Sequence, residues 1–169
     1  IRSGAGMVSL ATHPTHAKQL VGLHPELMIR GVSSAEQLSP LIANSTIIAI
    51  GPGLGRDGWA SEMFDTAMAT DLPMVVDADG LNLLGERAAN RTSTTHRENW
   101  VLTPHPGEAS RLLGTTNVQA DRFESGLELQ KRYGGIAVLK GAGTLVVDAQ
   151  NTGLCAYGNP GMSTAGMGD

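Results

Sequence analysis

A single cysteine, Cys155, leaves the chain unable to close an internal disulfide. Stability must therefore come from packing, and a reducing, cytoplasmic setting is the expectation. Aromatic residues are also scarce, with two each of Trp, Tyr and Phe making up 4% of 169 residues. A core built with so few rings has to be aliphatic. Basic clusters are missing too: 12 Lys and Arg stand against 16 Asp and Glu, a formal net charge of −4. That balance argues against a nucleic-acid groove or an affinity for anionic membrane surfaces. It does not exclude a local anion site, because backbone N–H groups can supply one without net charge. No apolar run approaches the roughly 20 residues needed to span a bilayer, and the first residues lack the shape of a signal peptide.

What is present is glycine, 22 residues of it, within a chain that is 41% hydrophobic and 17% charged. Such a composition folds rather than staying disordered, and its length suits one domain over residues 1–169. Short apolar runs alternate with helical patterns. Met7–Thr12, Glu26–Arg30, Thr46–Ile50, Pro73–Asp77, Trp100–Pro104 and Ile136–Lys140 read as strands. The runs from Thr46 onward look continuously apolar, as strands buried on both faces do. Pro14 opens one helix, and Ser33 or Ser34 precedes another that ends near Asn44. Further helices are predicted over Trp59–Ala69, a short stretch up to Gly114, and Asp121–Tyr133. Arg87–Asn99 reads as a polar surface connection. Leu145–Asp148 and Gly153–Ala156 flank a turn and predict a hairpin, with Cys155 as a buried strand residue. This alternation predicts an α/β fold with a largely parallel sheet.

The informative residues cluster just after strand ends, the edge at which open α/β sheets bind ligands. Gly51-Pro52-Gly53-Leu54-Gly55 can cradle a phosphate or a flat substrate face, yet it lacks the spacing of a dinucleotide fingerprint or a P-loop. A tight strand-to-helix turn is an equal reading. Asp77 and Asp79 can approach a cation or polar ligand groups, and Asp79 can equally cap a short helix. Asn82 serves either a turn or a ligand. His105, held between Pro104 and Pro106, is too constrained for an ordinary helix position and suits a substrate hydrogen bond. His13, His16, His24 and His96 read as solvent-facing. Lys140 enters Gly141-Ala142-Gly143-Thr144, where an ammonium and backbone N–H groups can meet a phosphate; a lysine snorkelling from a sheet edge is the alternative. The final stretch carries glycines at 158, 161, 166 and 168 and stops at Asp169. A Gly-rich nest closed by a carboxylate suits an anion beside a hydroxyl that must lose a proton, although a plain surface loop has the same composition.

Read together, these motifs resemble one family. Gly-Pro-Gly-Leu-Gly, Asp-Ala-Asp-Gly-Leu-Asn, Thr-Pro-His-Pro-Gly-Glu-Ala, Leu-Lys-Gly-Ala-Gly-Thr and Gly-Asn-Pro-Gly-Met followed by Gly-Asp occur here in one order. They are similar to the ADP/ATP-dependent NAD(P)H-hydrate dehydratases of the ribokinase-like superfamily, and the resemblance runs from Arg2 to Asp169. It implies a ribokinase-like three-layer fold with a central, largely parallel sheet. It also implies repair of hydrated NADH and NADPH, in which ADP or ATP phosphorylates the hydrate hydroxyl before phosphate is lost. Bacterial members resembling this chain are often fused to an epimerase domain. Carried over by position, Gly53, Gly55, His105 and Asp169 would touch the hydrate. Lys140, Gly141, Ala142, Gly143, Thr144 and Gly168 would hold the nucleotide, and Asp169 would be the catalytic base. Mg²⁺ is implied by the nucleotide, with no ligand assigned. The sequence departs from the family at Gly80, where Ala is common, and at Ala165-Gly166-Met167 in the anion loop.

Two other functions fit the same residues: a ribokinase-like kinase of a small alcohol or vitamin precursor, and a nucleotide-binding fragment without turnover. The abrupt Ile1–Gly6 start and the stop at Asp169 lead us to expect a domain incomplete at both ends. As a lone chain it is expected to be a poor catalyst that works with a second segment or as a homo-oligomer.

Overall fold

The computed structural model describes residues 4–90 and 96–158. Those residues fall into two compact units, one built from the described residues up to Thr46 with Arg56–Asp71, the other from Ile47–Gly55 with the described residues from Leu72 onward.

The first unit holds a two-stranded parallel pair, β1 (Ser9–Thr12) with β2 (Met28–Gly31). Helix α1 (Pro14–Leu20) connects them, with Pro14 in its first turn, where a missing N–H costs nothing. Two more helices follow, α2 (Ala35–Ala43) and α3 (Gly58–Met68). On α3, Ala60, Met63, Phe64 and Ala67 recur at helical spacing and are buried. The Asp57 carboxylate caps it by accepting the Ala60 N–H at 2.9 Å. The Trp59 indole donates to the Val32 carbonyl at 2.9 Å, and the Glu62 carboxylate accepts the Ala35 N–H at 2.7 Å, joining α3 to the entry of α2.

The second unit is organised by six strands whose spatial order repeats their chain order: β3 (Ile48–Ile50), β4 (Met74–Val76), β5 (Trp100–Leu102), β6 (Ile136–Leu139), β7 (Thr144–Val147) and β8 (Thr152–Cys155). The first four run parallel; β7 and β8 complete the sheet as an antiparallel meander. The α/β architecture and mostly parallel sheet agree with the sequence reading, as does the closing hairpin. Helices α4 (Ala78–Asn90), α5 (Pro106–Leu113) and α6 (Arg122–Tyr133) lie side by side, and α6 packs on β6 and β7. Buried hydrogen bonds lock this layer. The Tyr133 hydroxyl donates to the Leu112 carbonyl at 2.8 Å, and the Trp100 indole donates to the Tyr133 carbonyl at 3.0 Å. Burial pushes the Tyr133 phenol above its ordinary range, against a smaller opposing effect from Arg132.

Three expectations are corrected. Strand β3 is not buried on both faces: Ile48 and Ile50 are half-buried and Ala49 is exposed, since among the described residues β3 stands at one end of the strand order. Cys155 is exposed for the same reason, as β8 closes the other end. The polar connection begins later than expected, since α4 continues to Asn90. Leu81, Leu83 and Leu84 bury its inner face, and it packs against α5. Among the described residues, no helix is long and apolar enough to cross a membrane.

Candidate functional site at the carboxyl ends of the parallel strands

Each parallel strand stops where its apolar alternation gives way to a polar turn, so four turns emerge at one end of β3, β4, β5 and β6. The turn after β3 lies against the turn after β4. Gly51 has φ of +129°, and a Cβ built on it would strike the Asp77 carbonyl oxygen. Only glycine permits both the dihedral and the approach. The Asp77 N–H donates to the Ile50 carbonyl at 3.1 Å, so backbone and sterics fix this junction together. One turn later the Asp79 carboxylate accepts the Gly55 N–H at 2.9 Å. Asp79 thus spends a carboxylate oxygen closing the Gly-Pro-Gly-Leu-Gly turn. It lies in the first turn of α4, where negative charge suits the helix dipole.

Asp77 joins more distant chain segments. Its Oδ1 accepts the Lys140 Nζ at 2.9 Å and the Ala78 N–H at 2.9 Å. Lys140 follows β6, and β5 lies between β4 and β6, so the side chain spans the end of the intervening strand. The Lys140 N–H donates to the Pro104 carbonyl at 2.9 Å, which adds the turn after β5. Side-chain exposure is 13% for Lys140 and 24% for Asp77, so water only partly screens the pair. Ala78 adopts φ of +47°, a left-handed value unusual for a residue with a Cβ. Such strain collects at functional sites.

His105 is the N-cap of α5. Its Nδ1 accepts the Gly107 N–H at 3.0 Å, while its own N–H donates to Glu108 Oε2 at 2.9 Å. This is a capping box with imidazole in the serine role. An accepting Nδ1 leaves the proton of the neutral ring on Nε2, which lies 3.5 Å from Glu108 Oε1. Glu108 is buried and the His105 side chain is 37% exposed. The ring is fixed by the cap, with its outer edge reachable from solvent. The Asn82 Oδ1 accepts from Arg111 Nε at 2.8 Å, tying α4 to α5.

The turn from Lys140 to Thr144 is held by a residue the sequence reading missed. Arg122, first in α6, directs its guanidinium at this turn. Nη2 donates to the carbonyls of Leu139 at 3.1 Å, Lys140 at 3.4 Å and Gly143 at 3.0 Å, and Nη1 to Ala142 at 3.4 Å. The signal available in sequence was its position: a cation in the first turn of a helix opposes the dipole and calls for a reason. The ammonium of Lys140, expected at a phosphate, is held by Asp77 at 2.9 Å. Gly53 lies exposed at φ of +67°, and Gly55 is half-buried with its N–H taken by Asp79. Of the expected site residues, the structure thus brings Lys140 to Asp77 and places Gly141–Thr144 beside Arg122. Gly168 and Asp169, with the Ala165-Gly166-Met167 departure, lie outside the described residues. Among the described residues, no group of three or more His, Cys, Asp and Glu could hold a metal ion. A concavity lined by Glu98, Gly135, Ile136, Asp148, Ala149 and Gln150 opens at the opposite end of the sheet, away from these turns.

A mostly parallel sheet with polar, glycine-rich turns gathered at its carboxyl edge defines an α/β protein of the class whose ligand sites lie at that edge. Solved structures give that class its name. A ribokinase-like superfamily protein from Enterococcus faecalis superposes with a TM-score of 0.84 at 28% identity, over 98% of this chain and 58% of the other. An ADP/ATP-dependent NAD(P)H-hydrate dehydratase from Bacillus subtilis, co-crystallised with ATP/Mg²⁺, does so with a TM-score of 0.75 at 26% identity, over 98% and 58%. In sequence, a bifunctional NAD(P)H-hydrate repair enzyme from Coxiella burnetii is 51% identical over 171 residues, 99% of this chain and 34% of that protein. The family model described as NAD(P)H-hydrate dehydratase matches residues 1–169. The chain belongs to the NAD(P)H-hydrate dehydratase family, and it spans about one third of the length of the curated relatives it matches.

Proposed function

We propose that this chain forms part of a nucleotide-dependent dehydratase that returns hydrated NADH and NADPH to the reduced cofactors. The observation that carries the reading is the junction of four strand-end turns through Asp77, Lys140 and Gly51, in a chain of this family. The hydrate hydroxyl oxygen attacks the terminal phosphorus of ATP or ADP, its proton passes to a carboxylate, and the shortened nucleotide leaves. Phosphate then departs with the C–O bond as a ring proton is lost, and the dihydronicotinamide double bond is restored.

The residues divide between the two substrates. Gly53, Gly55 and the outer edge of His105 are proposed to face the hydrate. The amides of Gly141–Gly143, with Lys140 and Thr144, are proposed to receive the nucleotide. Gly168 is assigned to the nucleotide, and Asp169 to the hydrate hydroxyl as the base. The glycine turn fits such a role, for Gly141 and Ala142 are exposed and their carbonyls, like that of Gly143, are not needed for the phosphate. Mg²⁺ would neutralise charge on the nucleotide phosphates, and no residue of this chain is assigned to it. ADP preference, a cytoplasmic location and a partner segment or second copy belong to the same proposal. Hydrodynamic mass of the purified protein tests the last of these.

The deciding experiment mixes hydrated NADH, ADP or ATP, and Mg²⁺ with the full-length protein. Return of the reduced-nicotinamide absorbance is the expected result. Stable phosphorylation of an alcohol without that recovery would mean a small-alcohol kinase, and nucleotide binding without turnover would mean a non-catalytic nucleotide-binding protein.

A further inference from the structure

We infer that Arg122 is a positioning residue for the nucleotide, shaping the Lys140–Thr144 turn so that its carbonyls face inward and its amides face the ligand. This rests on the reading that the turn receives the nucleotide, and it adds a residue outside the turn on which that capacity depends.

Three observations carry it. The guanidinium donates to four carbonyls within five consecutive residues, Leu139, Lys140, Ala142 and Gly143, at 3.0–3.4 Å. A planar fork can bracket a turn in this way, whereas a lysine is a single point charge. Next, Gly141 has φ of +142°, and a Cβ built there would strike Arg122 Nη1. The glycine is thus matched to the arginine as well as to its own dihedral. Finally, Arg122 occupies the positive end of α6, where the helix dipole opposes it; Asp121, capping the helix through the Glu124 N–H at 2.9 Å, and Glu124 in the first turn relieve part of that. Four carbonyl oxygens supply the missing negative potential.

The consequence follows from peptide geometry. Each peptide plane carries its carbonyl and its N–H on opposite sides. Drawing the Lys140 and Ala142 carbonyls toward one cation turns the N–H groups of the same peptide planes, those of Gly141 and Gly143, to the other side, the arrangement of an anion nest. Among the described residues, no carbonyl or side chain takes the amides of Gly141, Ala142 or Gly143.

The test compares Arg122→Ala and Arg122→Lys with Ala142→Asp, which puts a carboxylate on the turn itself. Calorimetry measures ATP and ADP affinity, and steady-state kinetics give separate KM values for nucleotide and hydrate. Both Arg122 variants should bind nucleotide about 10- to 100-fold more weakly, with hydrate KM and kcat moved less than about threefold. General loss of folded protein would lower apparent kcat and leave nucleotide KM alone. If Ala142→Asp weakens nucleotide binding while the Arg122 variants do not, the inference is wrong and the site reading stands. If Ala142→Asp changes nothing, the turn is not the nucleotide site and both fail. Collapse of both Arg122 variants would assign the residue to the framework and overturn the inference too.

Discussion

Removing the ammonium of Lys140 should show that the four turns are held by charge and not by the strands alone. At 2.9 Å, two unit charges attract by about 6 kcal/mol at an effective dielectric near 20. Desolvation offsets much of this, because neither group is well exposed. A hydrogen bond between charged groups leaves about 1.5–3 kcal/mol net. Lys140→Met strands the Asp77 carboxylate without its cation and should cost about 3 kcal/mol. Asp77→Asn keeps an oxygen that can accept from Ala78 and Lys140, and should cost about 1–2 kcal/mol. The double variant should cost less than the sum, with a coupling energy of about 2 kcal/mol from a cycle of urea unfolding curves. The coupling should also survive about 0.5 M salt, which screens exposed pairs but reaches partly buried ones far less. A coupling below about 0.5 kcal/mol, or one erased by salt, would place the pair among ordinary surface ion pairs and refute the reasoning.

Gly51→Ala should destabilise the protein by about 3 kcal/mol or more, since the new Cβ meets the Asp77 carbonyl at a dihedral that disfavours any side chain; a denaturation midpoint close to that of the parent chain would contradict it. Asp169→Asn in the full-length protein should lower turnover by about 10²–10⁴-fold while calorimetry finds nucleotide binding largely intact. Near-normal turnover would move the base elsewhere. Tyr133 supplies a pH prediction. Its folded pKa is raised above an ordinary value of 10.0, so its contribution to stability is complete below that pH and is lost as pH rises through the raised folded value. Tyr133→Phe should flatten that alkaline slope in thermal melts, and an unchanged slope would assign it to other groups.

The strand and helix pattern was legible because each element satisfies its period locally. Met74 and Val76, Trp100 and Leu102, and Leu145 and Val147 are all buried at alternate positions of short apolar runs. The position of a strand within its sheet is not a local property. Thr46–Ile50 has the same β-branched composition as an interior strand, yet β3 ends the order, and Cys155 looks apolar yet lies on the opposite end strand. The second half of α4 was obscured for a related reason. Gly80, Gly85 and the polar residues after Leu84 weaken its helical signature, and its contact with α5 outweighs that weak propensity.

The site divides along the same line. Motifs identified the turns, since a glycine at a strand end and a histidine between two prolines announce special backbone geometry. They could not announce partners. Asp77 and Lys140 are 63 residues apart in sequence, and only the adjacency of β4, β5 and β6 brings an acid after one strand to a base after another. That pairing changes what the residues can do. A lysine read alone is a phosphate ligand; held by Asp77 it first fixes the relative positions of two turns. Gly55 read alone offers an N–H to a ligand; with that N–H on Asp79 it can offer only open space for close approach. Arg122, which belongs to no motif, aligns the carbonyls of a turn that does. Chemistry at this sheet edge therefore depends on residues of two kinds: glycines that local sequence marks, and charged side chains whose roles arise only once the sheet has ordered their strands.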